Sequence, residues 1–341
     1  MDDFFDHKRV LVTGGTGSIG KEIAAQLLKH NVQAVRVLSN DENSLFNMRM
    51  DYQDDRLRFL LGDVRDYERM KMASREIDIV YHTAALKHVP IGEYNPFELV
   101  QTNVVGTQNV VSAALEEGVD RFLLISSDKA VNPTSTLGAS KLLCEKLVVS
   151  AAAYRGYRKT RFASMRFGNV LDSRGSVLEI FRRQMERLEP LTVTDPHMTR
   201  FAFAASQAVD FILRATAMTQ GGEIFIPKMQ ALHVIDLAQA MIEALSPVLD
   251  LDPKQLGIQT TKVRPGEKIH EELMTSAEAQ RAVELEDMYV VLPETLETGG
   301  YEGKHPPAVS EYSSGTATPM SKSQIVDLLQ RINALSTKGR Q

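Results

Sequence analysis

The stretch Arg9 to Gly20, RVLVTGGTGSIG, decides the fold: a short apolar, β-branched run breaks into Gly14, Gly15, Gly17 and Gly20 and opens into the helical pattern IGKEIAAQLLKH. That order reads as strand, tight turn, helix. Gly14, Gly17 and Gly20 stand three apart, a spacing that lets backbone approach a pyrophosphate and aims the free N–H groups and positive end of a helix at it. A glycine turn that merely closes a βα unit is the plainer alternative. The turn precedes repeated strand–helix alternation, which is where a Rossmann fold has its first βα turn.

Working outward, the N-terminal half alternates. Strands are expected over Val10 to Thr13, Ala34 to Ser39, Leu57 to Leu61, Ile77 to His82 and Arg121 to Ser126. Helices are expected up to His30, from Asn43 to Tyr52, near Tyr67, from Pro96 to Glu117, and from about Ser135. Strands separated by helices pair in parallel through right-handed crossovers. The expectation is a doubly wound parallel α/β sheet over residues 1–170 and a smaller substrate-binding α/β domain over 171–341, with room for later segments to return to the first. Residues 295–320, rich in Gly, Pro, Ser and Thr, read as an extended segment before a final helix, Ser321 to Leu335.

Composition excludes several classes. The chain has 341 residues, net charge −5 and 43% hydrophobic residues, enough for a sizeable core and without the basic excess of a nucleic-acid binder. It lacks an apolar run of transmembrane length, and MDDFFDHKR is acidic where a secretory signal is basic, so a cytoplasmic protein without a membrane span is expected. A single cysteine, Cys144, excludes an internal disulfide and reads as buried filler, and the histidines lack metal-site spacing. No metal is expected.

The second strand ends in Ser39 and Asn40, where an NAD-preferring site would put a carboxylate for the ribose 2′-hydroxyl. The neutral pair favours NADP, with NAD the alternative because Asp41 is near and no arginine adjoins. Asp63, in LLGDVRD, suits either the adenine amino group or a turn. The richest polar cluster follows RFLLIS: Ser126, Ser127, Asp128, Lys129 and then AVNPTSTLGASK. Asn132 and Pro133 delay the helix, which leaves Asp128 and Lys129 on a loop at the sheet edge, where reactive groups sit. Lys141 follows Leu137 by four residues and shares its helix face.

The ordered set GGTGSIG, GDVRD, HTAALKHVP, NPFELVQTNVVGTQNV, SSDKAVNPTSTLGASK, RFGNVLDSRGSV, TDPHMTRF and RPGEKIHEEL resembles the extended short-chain dehydrogenase/reductases of polysaccharide biosynthesis, and most closely the inverting UDP-N-acetylglucosamine 4,6-dehydratases. The resemblance implies a Rossmann domain under a smaller domain that closes over a nucleotide sugar. It implies cofactor roles for Gly14, Thr16, Gly17, Ser18, Ile19, Asp63, Val64, Ala84, Ala85, Asn103 and Lys141, with Lys87 at the cofactor or sugar. Asp128 would be the acid toward the C6 hydroxyl and Lys129 the base toward C5–H. Asn169, Arg200, Arg264 and Glu267 match positions that hold the uridine diphosphate and sugar, and arginines suit a diphosphate clamp.

One departure bears on the chemistry. These dehydrogenases usually carry tyrosine four residues before the lysine, where it deprotonates the alcohol being oxidised, and here that position is Leu137. The base for the 4-hydroxyl is then open between Asp128 and Ser127, backed by Lys141. As a base, Lys129 must be neutral, so its surroundings are expected to favour the uncharged amine. A 4-epimerase or reductase would share fold and cofactor but would need no acid–base pair at C5 and C6, and a noncatalytic dinucleotide sensor would need none at all. Helices 96–117 and 136–155 are long and apolar enough to pack across a two-fold axis, so a homodimer or larger assembly is expected.

Overall fold

The structure is a computed structural model that describes residues 3–294, 301 and 307–336. Its centre is a nine-stranded sheet in the order Ala282–Glu284, Met288–Val291, Ile224–Pro227, Arg161–Met165, Arg121–Ile125, Ile79–His82, Arg9–Thr13, Ala34–Ser39, Leu57–Leu61. From Ile224–Pro227 to Leu57–Leu61 every pairing is parallel, while the two outer strands at the other edge pair antiparallel. Alternation within strands divides the core between two faces. Val10, Val12, Val35, Val37 and Leu123 join one cluster with the helix Ser18–Leu27, whereas Leu11, Leu38, Val80, Phe122 and Leu124 join another with Gly106–Glu116 and Thr136–Tyr154. Apolar side chains on both faces are what a parallel sheet covered by helices on both sides requires.

Strand order reverses between Arg9–Thr13 and Ile79–His82, and the crevice opens beyond their carboxyl ends. The chain after residue 170 is divided. Three of its strands, Ile224–Pro227, Ala282–Glu284 and Met288–Val291, complete the large sheet. The rest, together with Asn169–Val170, builds three small sheets, and it holds a second core that includes Leu171, Phe181, Leu191, Leu237 and Ile325.

Several boundaries differ from the sequence reading. The strand expected from Ile77 begins at Ile79, because Ile77 N–H closes a turn onto the Ser74 carbonyl at 3.2 Å. The helix expected over Pro96 to Glu117 has a π-helical stretch, Val100–Val105, between Pro96–Leu99 and Gly106–Glu116. Tyr312–Ser313 is a short strand within the segment expected to be extended, of which residues 295–300 and 302–306 lie outside the described residues. The final helix spans Lys322–Arg331.

Candidate functional site

The crevice is a cavity of about 660 Å³. Gly14 has φ +64°, and a Cβ there would lie 2.7 Å from the Ala84 backbone. A Cβ at Gly20 would lie 2.6 Å from the Gly14 carbonyl oxygen. Both glycines are therefore required by the turn itself. Gly17 differs: it is the N-cap of Ser18–Leu27 in extended conformation, no side chain caps that helix, and a Cβ would meet only the Gly14 oxygen, at 3.2 Å. Its missing side chain leaves room over uncapped N–H groups, the arrangement that receives a phosphate. Gly14, Thr16, Gly17, Ser18 and Ile19 all line the cavity, as do Val64, Ala84, Ala85 and Lys87. These features fit a dinucleotide.

Ser39, Asn40 and Asp63 line the far end. The Ser39 hydroxyl accepts from Thr16 Oγ1 at 2.9 Å and from Asp41 N–H at 3.2 Å. Asp63 is held by Arg65, whose Nε and Nη2 donate at 3.0 and 2.7 Å, and by Asn40 Nδ2 at 3.3 Å. The Arg65 hydrogen bond is the main cause of its lowered pKa. Both Asp63 oxygens are thus engaged within a turn, and an adenine amino group would have to compete for them. Arg174 lines the same end. Its charge adds to the hydrogen bonds from Ser44 in lowering the Asp41 carboxyl, so an arginine absent from the adjacent sequence does reach this corner.

At the other end, Arg121–Ile125 runs into Ser126 and Ser127 and a single 3₁₀ turn, Asp128–Ala130. Ser127 caps the turn, its hydroxyl accepting from Lys129 N–H at 3.1 Å. Asp128 is 1% exposed, and its Oδ2 has no hydrogen-bond partner. Its Oδ1 receives Lys129 Nζ at 2.9 Å, and Glu271 Oε1 stands 3.9 Å from the same nitrogen. Burial works against the Lys129 charge, but the carboxylates of Asp128 and Glu271 outweigh it and raise its pKa. This corrects the expectation that the surroundings favour the free amine. Lys141 shifts the other way: burial lowers its pKa, and Nζ donates to the Ile125 carbonyl at 2.9 Å. Ser127, Asp128, Lys129, Leu137, Lys141 and Asn169 share the cavity wall.

Four expected site residues lie off that wall. Asn103 is buried in the π-helical stretch, where its side chain accepts from Leu86 N–H at 2.8 Å and donates to the Leu86 carbonyl at 3.2 Å and Ser140 Oγ at 3.0 Å. It fixes the loop at Ala84 to Lys87. Arg200 donates to the carbonyls of Thr199, Ile269 and Lys268 at 2.7, 3.1 and 3.0 Å and pairs with Glu267 at 3.6 Å and Glu271 at 3.7 Å. Its fork is occupied by protein. Glu267 is thereby a partner of Arg200, and Arg264 is exposed with its N–H on Glu267 at 3.4 Å. Among the described residues no His, Cys, Asp or Glu cluster could hold a metal ion.

Sequence reasoning missed Arg174 and Glu271. Glu271 lies inside the RPGEKIHEEL motif, but beside two other glutamates and nothing that singles it out.

A family profile described as polysaccharide biosynthesis protein matches residues 10–293. A Methanocaldococcus jannaschii protein described as an uncharacterized membrane protein is 46% identical over 335 residues, covering 98% of this chain and 99% of that one. The inverting UDP-N-acetylglucosamine 4,6-dehydratase of Campylobacter jejuni is 41% identical over 291 residues, or 85% of this chain and 84% of its own. A UDP-glucose 4-epimerase of Rickettsia rickettsii is 37% identical over 84% of this chain and 83% of its own. Among solved structures, Pen from Bacillus thuringiensis matches with a TM-score of 0.92 and 38% identity, covering 98% of this chain and 100% of that one.

Proposed function

The chain belongs to the polysaccharide biosynthesis protein family, among nucleotide-sugar dehydratases and epimerases, and on that premise we propose that it is a UDP-N-acetylglucosamine 4,6-dehydratase. The observation that carries this reading is the Asp128–Lys129 pair on the cavity wall beside Leu137, with the Asp128 carboxylate buried. An epimerase has no use for an acid and a base at C6 and C5, whereas a dehydratase needs both.

When bound, the nicotinamide supplies a place to hold the C4 hydride until C6 receives it. The protein's own residues move the protons. Asp128, with Oδ2 free of partners, takes the 4-hydroxyl proton and delivers it to the departing C6 hydroxyl, which leaves as water. This assigns Asp128 the proton that the missing tyrosine would have taken. Lys129, as free amine, takes the C5 proton, and a proton is returned to C5 as C6 receives the hydride. The Ser127 hydroxyl keeps its own hydrogen for the sugar, since it acts as acceptor toward Lys129 N–H. Asn169, on the cavity wall, is a contact for the sugar in this reading. Arg264 and Glu267 contact the uridine diphosphate only if the loop 264–267 moves toward the cavity, and Arg200 only if its fork leaves the carbonyls of Thr199, Ile269 and Lys268.

The cofactor is NADP in this reading: Ser39 and Asn40 are neutral, and Arg174 shares their end of the cavity as a partner for a 2′-phosphate. No helix among the described residues is long and apolar enough to cross a membrane. We place the enzyme in the cytoplasm. Ile91, Tyr94, Phe97 and Leu143 expose apolar surface on the helices near the crevice, which suits a homodimer or larger assembly; light scattering at micromolar concentration tests it, a monomer refuting it.

Incubation with UDP-N-acetylglucosamine and mass spectrometry of the sugar nucleotide tests the activity. Loss of the mass of one water is expected. An unchanged mass with an inverted C4 would establish the epimerase instead, and an unaltered sugar would leave only dinucleotide binding.

A further inference from the structure

Glu271 meets the acid–base pair from a distant part of the chain. Its Oε1 lies 3.9 Å from Lys129 Nζ and 3.7 Å from Arg200 Nε, and its Oε2 is buried without a hydrogen-bond partner. Its backbone is fixed on Ser314: the N–H donates to Ser314 Oγ at 2.9 Å, and the carbonyl accepts from Ser314 N–H at 2.8 Å. The carboxyl group is therefore held at 4% exposure beside the reacting lysine. Burial, and after it the charge of Asp128, raises its pKa. A buried carboxylate oxygen without a donor is costly to keep and is relieved by a proton.

The proposed chemistry, on which this inference rests, sets two conditions at once. Lys129 must become a free amine, while Asp128 must remain a carboxylate so that it can accept the 4-hydroxyl proton. If the Lys129 proton passed to Asp128, the second condition would fail. Leu137 offers no phenol in its place. We infer that Glu271 is the proton acceptor that turns Lys129 from ammonium into free amine. One N–H bond of Nζ breaks and one O–H bond forms on Glu271, so an ion pair becomes a neutral amine beside a neutral carboxylic acid, with no oxidation or reduction. The flexible stem of Lys129 closes the remaining gap of about 1 Å. Glu271 acts through Lys129 and is a positioning residue in that sense.

The other charges facing the pair are Asp128 and Arg200 on both members and Lys268 on Glu271. Arg200 also pairs with Glu267, Lys268 with Glu272, and His270 Nδ1 lies on Thr199 Oγ1 at 2.8 Å. The transfer is internal to this group and leaves its net charge unchanged. The supply of free amine is then independent of bulk pH. Without Glu271 the proton must leave for solvent, and the supply rises about tenfold per pH unit until Lys129 itself titrates.

The test is the pH profile of kcat for UDP-N-acetylglucosamine dehydration by the NADP-loaded enzyme, from about pH 6 to 9. The ratio of Glu271→Gln to wild-type kcat should climb about tenfold per unit across that range and fall to roughly one hundredth near neutrality, with KM unchanged. Glu271→Asp should restore a pH-independent ratio at reduced rate. Substrate binding to wild type should also produce the infrared C=O band of a protonated carboxyl group, shifted in Glu271→Asp. A flat ratio for Glu271→Gln, an effect confined to KM, or no such band in the wild type overturns the role of Glu271 alone. A wild type that dehydrates nothing overturns this inference together with the reading it rests on.

Discussion

Replacing Arg166 with methionine should lower the melting temperature of the protein by about 6 °C. Arg166 is 1% exposed. Its Nη2 lies 2.6 Å from Glu145 Oε2 and 3.0 Å from Glu278 Oε1, Nε donates to Glu145 at 3.1 Å, and Nη1 donates to the Leu273 carbonyl at 2.8 Å. Three parts of the chain meet there: the strand Arg161–Met165 that it follows, the helix Thr136–Tyr154 that carries Lys141, and the C-terminal segment with Glu278. Methionine fills a similar volume but leaves Glu145, 1% exposed, without its counter-charge. Breaking a buried pair on one side costs about 3–5 kcal/mol. With 341 residues at roughly 2.1 cal/mol/K each, the unfolding entropy is about 0.7 kcal/mol/K, so about 4 kcal/mol becomes about 6 °C. Ser126 Oγ donates to Glu145 Oε1 at 2.5 Å, and Ser126 stands two residues before Asp128, so kcat should fall as well. Arg166→Lys keeps the charge, loses the bidentate fork and should fall between. Differential scanning calorimetry reads all three proteins. A methionine variant melting within about 1 °C of wild type would show that the carboxylates find other partners and that the pair contributes little.

Gly17→Val should fold and yet lose dinucleotide affinity by at least about a hundredfold, measured by titration calorimetry, because its Cβ meets only one backbone oxygen while its methyl groups fill the phosphate space. Ser39→Asp should shift preference toward NAD, and Arg174→Ala should weaken NADP by about tenfold with little effect on NAD; equal losses for both dinucleotides would remove Arg174 from the 2′-phosphate. His82 Nδ1 and Nε2 bond Thr13 and Thr107 at 2.7 and 3.0 Å, and burial depresses its pKa to about 3. The unfolded chain therefore binds this proton first, near pH 6.5, and stability falls as pH drops from there toward 3. At pH 4.5 the loss is on the order of 3 kcal/mol, so His82→Gln should lose about 4 °C less than wild type between pH 7 and 4.5.

The parallel strands near the N-terminus were legible because each is a short, largely apolar run between glycine or polar breaks, and Ala34–Ser39 and Leu57–Leu61 match the reading residue for residue. The other edge of the sheet was not. Ala282–Glu284 and Met288–Val291 are too short to show a period, and what fixes them is the pairing of Met288–Val291 with Ile224–Pro227, far away in the chain, on which Ala282–Glu284 then pairs. The π-helical stretch escaped for a different reason. Its apolar pattern is helical throughout, and the extra winding accompanies Asn103 reaching the Leu86 backbone, a contact no local pattern encodes. The same holds within the site. Residues on one loop, Ser127 to Lys129, were found together, whereas Glu271 and Arg174 acquire their meaning only when the second part of the chain folds over the first.

Leu137 is the point at which the missing tyrosine becomes intelligible. It is 3% exposed and lines the cavity one helical turn before Lys141. A phenol there would be one more hydrogen-bonding group in the cluster; leucine supplies apolar surface and excludes water. Low polarity disfavours separated charges, so it shifts the Lys129–Glu271 balance from ion pair toward amine and acid. It also leaves Asp128 Oδ2 without a competing donor, and thus open to a sugar hydroxyl. Loss of the tyrosine and burial of a second carboxylate are then two halves of one arrangement. In the proposed chemistry the proton duty of the phenol passes to Asp128, and Glu271 is the acceptor that takes the Lys129 proton in its place.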